Sequence, residues 1–554
     1  MAIVSFRHNN DGERPGLTRG LLGARTHNRR RWPYALGAAA LVLVVLGAAA
    51  IMLATSKASL GADSSALASI SMPLGGGKIE SVSVVRGDPQ TIPVAMRGDK
   101  IYPQGSIGVD ELLTVDVTVT RPGWISWLTG KTQHLRLSLT TPVASLAEHY
   151  LTLRADQPLR LQFKQPVAVV SYGPTGGRLE REQLASPQTE VTSPTSAAAG
   201  SMSVSAAPRA WERAGTGIVS WFPAGAKASA VVTPAPGKVI TPSTPISVTF
   251  STPVSAALGS SRPPVANATG HWHTVNDHTI VYEPTGYGYG LANTVSLALP
   301  KGIRLVGGRQ SGSDPSASWT VPGGSTMRLQ QLLANMGYLP LSFHSRDAAT
   351  IQTPQAEEAE AIRPPSGSFT WRYQNVPSLL RGMWAPAVSG VMTKGAVMAF
   401  ENDEGLTPDG VPSAAVWHAL IAAAVAGHRS TFGYTIAMVS ESEPETIHVW
   451  HNGNIVATNL VNTGIPGAAT ALGTYPVFEH LPVGTMSGTN PDGSHYSDPG
   501  IPWISYFNGG DALHGFIRGS YGFPQSLGCV EMSYADAGNV YPYTPIGTLV
   551  NVAA

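Results

Sequence analysis

A long apolar run near the amino terminus constrains this chain more than any other feature of its sequence. Ala35 to Thr55 are 21 residues without a charge, and at about 1.5 Å rise per residue such a helix can cross a hydrocarbon core of roughly 30 Å. Four arginines lie just before the run, and only Lys57 follows it closely. Because positive residues stay on the cytoplasmic side, this pattern predicts a transmembrane helix at 35–56 and a cytoplasmic basic tail at 1–34. We expect a single-pass cell-envelope protein whose remainder is extracytoplasmic.

A cleavable signal peptide is the alternative interpretation of this run. The apolar segment of a signal peptide is typically about 7–15 residues long, which is shorter than the run seen here. Cleavage near Ala50 or Ala54 stays open, and both interpretations export the rest of the chain.

The composition indicates several turn-rich modules rather than one large core. The chain has 554 residues, against roughly 150 for a common domain, so we expect three or four folded units. Glycine (60) and proline (44) are abundant and only 13% of residues are charged, which favours β modules over long solvated helices. Lys and Arg (36) nearly balance Asp and Glu (35). No overall positive field is therefore present to recruit nucleic acid.

Cys529 is the single cysteine of the sequence, so no internal disulfide can form. Disulfides are common in the oxidising compartment where we expect this chain to lie. A lone thiol kept there indicates either a small buried side chain or a reactive group. At this point the sequence leaves both interpretations open.

Hydrophobic periodicity predicts a mainly β, multidomain chain. Residues 115–119 and 135–139 alternate between apolar and polar, which is the period of half-buried strands, whereas a later stretch rich in Ser, Thr, Ala and Pro predicts a linker. Strands predicted at 246–250, 279–282 and 294–299 belong to a second β module, which resembles bacterial immunoglobulin-like domains. The predicted boundaries are a β module at 78–173, a linker at 186–210, the immunoglobulin-like module at 212–322, a helical domain at 325–425 and a last, mainly β domain at 431–554.

Three histidines in the second β module suggest a metal site at first. His271 and His273 are two residues apart and share one face of a strand, with His278 nearby. No cysteine or cluster of carboxylates accompanies them, and exposed histidines are common on β modules. We therefore predict no metal site here.

The helical period occurs between residues 325 and 425. Apolar residues recur along Leu329–Met336 as on one face of a helix that Gly337 ends, and Ser413 is placed to cap a last helix. The segments beginning at Leu329 and Thr393 resemble the small three-helix peptidoglycan-binding domain, which implies wall binding. The residues at that family's motif positions are Leu406, Asp409, Gly410 and Trp417. The sequence departs from the family by an insertion at about 341–390.

The last domain contains residues suited to nucleophilic catalysis by cysteine. Such catalysis requires a thiolate, a histidine that takes and returns its proton, and amide N–H groups for the oxyanion. His514 lies a short interval before Cys529, so two neighbouring strand ends can bring imidazole and thiol together. Gly528 allows the backbone to turn just before the nucleophile.

Chain order separates this pattern from other cysteine enzymes. In papain-like and cell-wall endopeptidase sites the histidine follows the cysteine, but no histidine follows Cys529 here. A sortase uses an arginine after its cysteine, whereas the last basic residue of this chain is Arg518.

What remains resembles the L,D-transpeptidase catalytic domain over most of residues 433–553. That family has a His-Gly pair followed by Ser/Thr-His-Gly-Cys, and the segments 461–464 and 472–477 resemble its V-S-T-G and P-x-G-x-F/Y elements. Two positions depart from the pattern. The usual histidine before Gly-Cys is Leu527, and the usual Arg or Asn two residues after the cysteine is Glu531.

The resemblance implies a β-sandwich-like enzyme that remodels peptidoglycan without a metal or other cofactor. Cys529 would attack the carbonyl between diaminopimelate and the terminal D-Ala of a tetrapeptide stem, and His514 would return the proton as D-Ala leaves. The amine of a second stem peptide would then resolve the thioester in a 3→3 cross-link. Carbapenems are the covalent inhibitors to expect.

The resemblance also implies roles for neighbouring residues. Backbone N–H groups of Leu527, Gly528 and Cys529 would hold the oxyanion, and the Gly515 carbonyl would orient the imidazole. Three further residues are expected to support the motif or contact substrate: Ser526, Tyr506 and Asn508. Two other functions stay open, a carboxypeptidase or hydrolase with the same residues, and a catalytically inert wall-binding scaffold.

Overall fold

The computed structural model describes residues 32–73, 77–87, 90–195, 197–225, 227–307, 316–347 and 353–554. It is mainly β, with 43% strand and 18% helix, which confirms the predicted class. The contacts divide the chain into a first unit, residues 1–143 with 209–213, and a second unit, residues 144–208 with 214–554. The predicted basic tail falls on residues 1–31, outside the described residues.

The apolar run forms helix α1 (Trp32–Thr55). Within the described residues, no helix combines the length and apolarity needed to cross a membrane. The predicted transmembrane helix at 35–56, and with it the predicted single-pass anchor, is therefore not supported.

The first unit contains two four-stranded antiparallel sheets, ordered β1-β2-β6-β5 and β4-β3-β7-β8. Val115, Val117 and Val119 are buried on β7, as their alternation predicts. The elements are β1 (Ser59–Ala62), β2 (Ala68–Ser71), β3 (Lys78–Arg86), β4 (Thr91–Ile92), β5 (Val94–Arg97), β6 (Lys100–Pro103), β7 (Leu112–Thr120), α2 (Gly123–Thr129) and β8 (Thr132–Thr140).

The second unit begins with a five-stranded sheet, ordered β11-β10-β12-β13-β9. The predicted linker at 186–210 is wrong, because much of it lies in β11 and β12. Several of the small residues that suggested a linker are buried, among them Ser203, Ser205 and Ala206, and Ser201 bonds to Ser220 across the sheet at 2.7 Å. The strands are β9 (Tyr150–Leu153), β10 (Arg160–Pro174), β11 (Glu180–Thr192), β12 (Gly200–Ala207) and β13 (Gly215–Pro223).

The next module packs a five-stranded sheet, β17-β18-β15-β14-β20, against a three-stranded sheet, β16-β19-β21. The strand predicted at 246–250 has those bounds, and the other two predicted strands are present within two residues. The elements are β14 (Ser229–Thr233), β15 (Ile246–Phe250), α3 (Val254–Leu258), β16 (Val265–Ala266), β17 (Gly270–Asn276), β18 (Thr279–Pro284), β19 (Asn293–Ala298), β20 (Arg304–Leu305) and β21 (Ser316–Val321).

The helical domain follows the predicted helix boundaries. Gly337 ends the first helix in the left-handed conformation, and Ser413 caps the last by accepting from the Val416 amide. The insertion contributes two short helices and a hairpin. The elements are α4 (Thr326–Met336), β22 (Leu341–Ser345), α5 (Pro354–Ile362), β23 (Gly367–Trp371), α6 (Ser378–Met383), α7 (Val391–Asp403) and α8 (Ala414–Ala426).

The motif residues of the helical domain serve its folding. The Trp417 ring is 1% exposed and lies against Gly323 and Gly324. The Gly410 amide donates to the buried Glu401 carboxylate at 2.8 Å. These contacts explain the motif residues without a bound ligand, so wall binding stays a prediction.

The helical domain shares one hydrophobic core with the last domain. Leu333, Phe400 and Trp417 lie in the same cluster as Ile436 and Leu549. The backbones also meet closely, since a Cβ on Gly395 of α7 would lie 2.5 Å from the Gly547 carbonyl oxygen. The two domains are therefore packed as one body.

The last domain consists of two sheets, ordered β26-β25-β24-β32-β27 and β28-β29-β30-β31. The Asn452-Gly453 dipeptide, which favours a type I′ turn, joins β25 and β26 with both residues at positive φ. The elements are β24 (Thr435–Ser440), β25 (Thr446–His451), β26 (Asn454–Leu460), β27 (Gly473–Pro476), β28 (Glu479–Thr489), β29 (His495–Asn508), β30 (Asp511–Gly515), β31 (Val530–Met532), α9 (Tyr534–Val540), a 3₁₀ helix (Tyr541–Tyr543) and β32 (Leu549–Ala553).

The segment 482–502, which composition predicts as a long flap, is instead a β-hairpin. Strands β28 and β29 pair antiparallel from Glu479↔Tyr506 out to Thr489↔His495. Backbone pairing along both strands overrides the glycines and prolines that suggested a loop. The hairpin begins beside β30 and so borders the region of Cys529.

Candidate active site

Cys529 directly precedes β31, which is the parallel neighbour of β30, the strand of His514. The register pairs Leu513 with Val530 and His514 with Glu531, so Cys529, just before β31, falls beside the start of β30. Side chains two residues apart on a strand share a face, which puts Ala512 and His514 on one face of β30. The predicted approach of two strand ends is therefore present. Within the described residues, no hydrogen bond joins the Cys529 Sγ to the His514 ring.

The Cys529 thiol is half-buried against apolar side chains. It packs beside Ile501, Ile504 and Ala512, with Tyr506 and Phe516 close by. The Sγ donates to the Gly510 carbonyl oxygen at 3.6 Å. Burial is the main cause that raises the pKa of the thiol to about 12; the Ala512 amide acts to lower this pKa, and the charges of Asp511 and Glu531 add to the rise. The resting thiol is therefore protonated at neutral pH.

The loop before Cys529 depends on two small residues. Gly528 has φ +115°, and a Cβ there would lie 2.6 Å from Asp511 Oδ1, so a larger residue would be both strained and crowded. Ser526 is buried, and its hydroxyl donates to the Cys529 carbonyl. The left-handed conformation of Gly528 and the hydrogen bond of Ser526 both fix the backbone around the thiol.

The amides near Cys529 are not equivalent. The Gly528 N–H donates to Ser526 Oγ at 3.2 Å, so it would have to leave this acceptor to bind an oxyanion. The Leu527 N–H has no hydrogen-bond acceptor among the described residues. Of these two predicted oxyanion donors, the Leu527 amide is thus the available one.

His514 is held by the carbonyl of the next residue. Its Nδ1 lies 3.1 Å from the Gly515 oxygen, which requires Nδ1 to carry the proton and leaves Nε2 with a lone pair. The ring is 2% exposed and meets Phe516 edge-on. Burial lowers the pKa of His514, although the Gly515 carbonyl and Glu531 act in the opposite direction. The imidazole is therefore neutral and able to accept a proton at pH 7.

Sequence reasoning missed an ion pair beside the base. The Arg518 guanidinium donates from Nε and Nη2 to the two oxygens of Glu531, each at 2.8 Å. It also stacks on Phe516, with Cζ 4.6 Å from the ring centroid. Phe516 links the two groups, because its ring contacts both the His514 ring and the Arg518 guanidinium.

The two residues predicted to contact substrate differ in position. Tyr506 packs in the cluster that contains Cys529, and burial followed by the Cys529 charge raises its pKa. Asn508 instead donates to Asp511 at 3.2 Å. Asn508 thus holds the Asp511 carboxylate, whose charge raises the pKa of the Cys529 thiol.

The segment 461–464 lies directly against the Cys529 loop. The Thr463 carbonyl accepts from the Ser526 amide at 2.9 Å, and the Ile465 amide donates to the Ser526 carbonyl at 2.9 Å. The Thr463 amide in turn donates to the buried Glu445 carboxylate at 2.6 Å. The segment that resembled V-S-T-G therefore positions the loop that carries Cys529.

The remaining histidines lie elsewhere. His480 stacks on Tyr541 at 3.8 Å, and burial lowers its pKa to about 4. His278 stacks on Tyr150, while the rings of His271 and His273 are 6.4 Å apart. His480 and His278 therefore have packing roles, whereas His271 and His273 are exposed.

Comparison with known proteins gives one family match. Residues 434–552 match the model of the L,D-transpeptidase catalytic domain family, YkuD, a range that includes both His514 and Cys529. No curated protein matches the chain.

Several solved structures are similar, each with a TM-score of 0.20. An L,D-transpeptidase from Mycobacterium smegmatis is 14% identical and covers 58% of this chain and 97% of its own. L,D-transpeptidase 3 from Mycobacterium tuberculosis, with a faropenem-derived adduct, is 13% identical with the same coverages. The catalytic domain of the E. faecium L,D-transpeptidase is 21% identical and covers 22% of this chain and 99% of its own.

Proposed function

Residues 434–552 form an L,D-transpeptidase catalytic domain, and from that premise we propose that Cys529 is its nucleophile and His514 its general base. The Cys529 sulfur attacks the carbonyl carbon between diaminopimelate and the terminal D-Ala of a tetrapeptide stem. The C–N bond breaks, D-Ala leaves with the proton from His514, and a thioester forms. The amine of a second stem peptide then displaces the sulfur and completes the cross-link.

The protonation states support this division of roles. Burial keeps the thiol protonated and the imidazole neutral at rest, so the proton moves from sulfur to Nε2 as the attack begins. A neutral imidazole with a free lone pair is the form that a general base requires. The Gly515 carbonyl holds the ring in this tautomer.

Backbone amides supply the stabilisation of the oxyanion in this proposal. The Leu527 and Cys529 N–H groups are the donors, with the Leu527 amide lacking another acceptor among the described residues. Amide donors act independently of the side chain at their position. Leucine at position 527 is therefore compatible with acylation.

The observation that carries the proposal is the parallel register of β30 and β31 inside the matched family domain. That register supports the proposed pairing of a buried, neutral imidazole on β30 with a lone thiol just before β31. Peptidoglycan stem peptides are the proposed partners, carbapenems the proposed covalent inhibitors and the cell envelope the proposed location. No metal or cofactor takes part in this scheme.

Two stem peptides with different isotope labels separate transfer from hydrolysis. With purified full-length chain, we expect a product that joins the donor acyl group to the amine of the labelled acceptor, and no such product from Cys529→Ser. Release of the donor tripeptide alone would favour a carboxypeptidase. Absence of both products would contradict an active enzyme and favour an inert scaffold.

A further inference from the structure

The Arg518–Glu531 ion pair has an unused donor edge. Arg518 gives Nε and Nη2 to Glu531, and Nη2 also reaches the Gln525 carbonyl at 3.3 Å. Its Nη1 has no acceptor among the described residues. The Arg518 side chain is 30% exposed, whereas that of Glu531 is 5% exposed. The free edge can therefore meet a ligand without breaking the buried pair.

This donor edge is rigid and lies next to the reacting groups. The guanidinium stacks on Phe516, which packs in the same cluster as Cys529. Glu531 stands opposite His514 in the strand register. The Arg518 amide and the Tyr521 hydroxyl also bond at 3.2 Å, and that hydroxyl donates to the Phe516 carbonyl at 2.6 Å. Backbone and side chain of Arg518 are thus both fixed.

The local charges make Arg518 the group that can bind an anion. The negative charges of Asp511 and Glu531 raise the pKa of the Cys529 thiol, and that of Asp498 raises the pKa of Arg518. Among the described residues, the charges that act on His514 are Glu531 and Arg518. An anionic substrate approaching these carboxylates needs a cation, and a guanidinium with a free N–H edge binds carboxylates well.

We propose that Arg518 binds a carboxylate of the stem peptide and so selects the substrate presented to Cys529. This inference rests on the proposed function. Glu531 is then a positioning residue, because its two oxygens hold the guanidinium with one edge outward. A stem peptide offers two such carboxylates, the α-carboxylate of the terminal D-Ala and the free carboxylate of diaminopimelate.

The test compares kcat/KM for three donor peptides on the full-length chain. One peptide has both carboxylates free, one is amidated at the terminal D-Ala, and one is amidated at diaminopimelate. The main variant is Arg518→Gln with Glu531→Gln, which removes both charges and leaves no unpaired carboxylate buried. The matched control is Arg160→Gln with Glu190→Gln, another ion pair at 2.8 Å in a different sheet.

The double variant should lower kcat/KM for the free peptide by about 10- to 100-fold, the usual worth of a charged hydrogen bond. For one of the two amidated peptides, kcat/KM should change by less than about threefold. The position amidated in that peptide identifies the carboxylate that Arg518 binds. Arg518→Lys should lose part of the preference, because an ammonium cannot make both bonds to Glu531 and still present a rigid edge. The control pair should leave all three values unchanged.

An equal loss on all three peptides would overturn the inference, because it would indicate a structural role alone. The proposed function fails differently, through a wild-type chain that turns over none of the peptides and forms no adduct at Cys529. Thermal unfolding of each variant identifies a loss caused by misfolding. If the double variant misfolds, the same comparison of the three peptides on Arg518→Lys, which keeps the charge, tests the inference.

Discussion

Glu531 is the register partner of His514 across the parallel strands β31 and β30. A buried carboxylate opposite the base would favour the imidazolium, but Arg518 neutralises it with two bonds of 2.8 Å. Burial therefore dominates, and the pKa of His514 is lowered. Glu531, which departs from the family pattern, is thus paired with Arg518, and the His514 imidazole stays neutral.

Asp511→Asn should lower the pKa of the Cys529 thiol. Burial raises this pKa most, and the negative charge of Asp511 adds to it. Removing that charge makes the thiolate easier to form, so the variant should react faster with iodoacetamide at about pH 9. Asp492→Asn, in the exposed turn of the β28–β29 hairpin, is the control. A slower reaction of Asp511→Asn would contradict the electrostatic argument.

His514→Ala should slow acylation by about 10²- to 10⁴-fold, the usual contribution of a general base. His480→Ala should leave acylation within a few fold, since His480 packs on Tyr541 away from the thiol. The measurement is the stopped-flow rate of carbapenem acylation. A larger loss in His480→Ala than in His514→Ala would show that the base is misplaced.

Leu527→His should alter the acylation rate by no more than about tenfold, roughly 1.4 kcal/mol. The proposed donors at this position are backbone amides, which histidine supplies equally. Leucine keeps the site drier, so the change should act on acceptor choice or on the thiol pKa. A wild-type chain without acylation, together with acylation gained in Leu527→His, would identify a degenerate relative.

Gly395→Ala should destabilise the second unit by about 1–3 kcal/mol, the usual cost of overpacking. The new Cβ would lie 2.5 Å from the Gly547 carbonyl, a backbone atom that cannot rotate away. Gly382→Ala in α6 is the matched control, because no atom lies within 4 Å of its Cβ position. Urea unfolding measures both free energies, and equal values for the two variants would contradict the close contact of the two domains.

Local signals predicted parts of the helical domain and of the last domain. The Asn452-Gly453 turn and the Ser413 cap follow from backbone preferences that act over a few residues. The match of residues 434–552 to the L,D-transpeptidase catalytic domain likewise agrees with the resemblance carried by residue types at a short spacing. These features depend little on the rest of the fold, so the sequence alone indicates them.

The features that sequence reasoning missed depend on pairing between distant segments. Residues 482–502 have the composition of a loop, yet their strands pair along a hairpin. Residues 186–210 have the composition of a linker, yet much of the segment pairs in β11 and β12, where Ser203, Ser205 and Ala206 are buried. The bond from Gly528 N–H to Ser526 likewise depends on a loop geometry that no spacing shows.

Intact-mass spectrometry of the purified full-length chain incubated with a carbapenem tests the central claim most directly. A carbapenem is a strained acyl donor, so a nucleophilic Cys529 should open its ring and retain it as a thioester. We predict one covalent adduct on the wild-type chain and none on Cys529→Ala. Equal adducts on both proteins, or no adduct on the wild type, would contradict the assignment of Cys529 as the nucleophile.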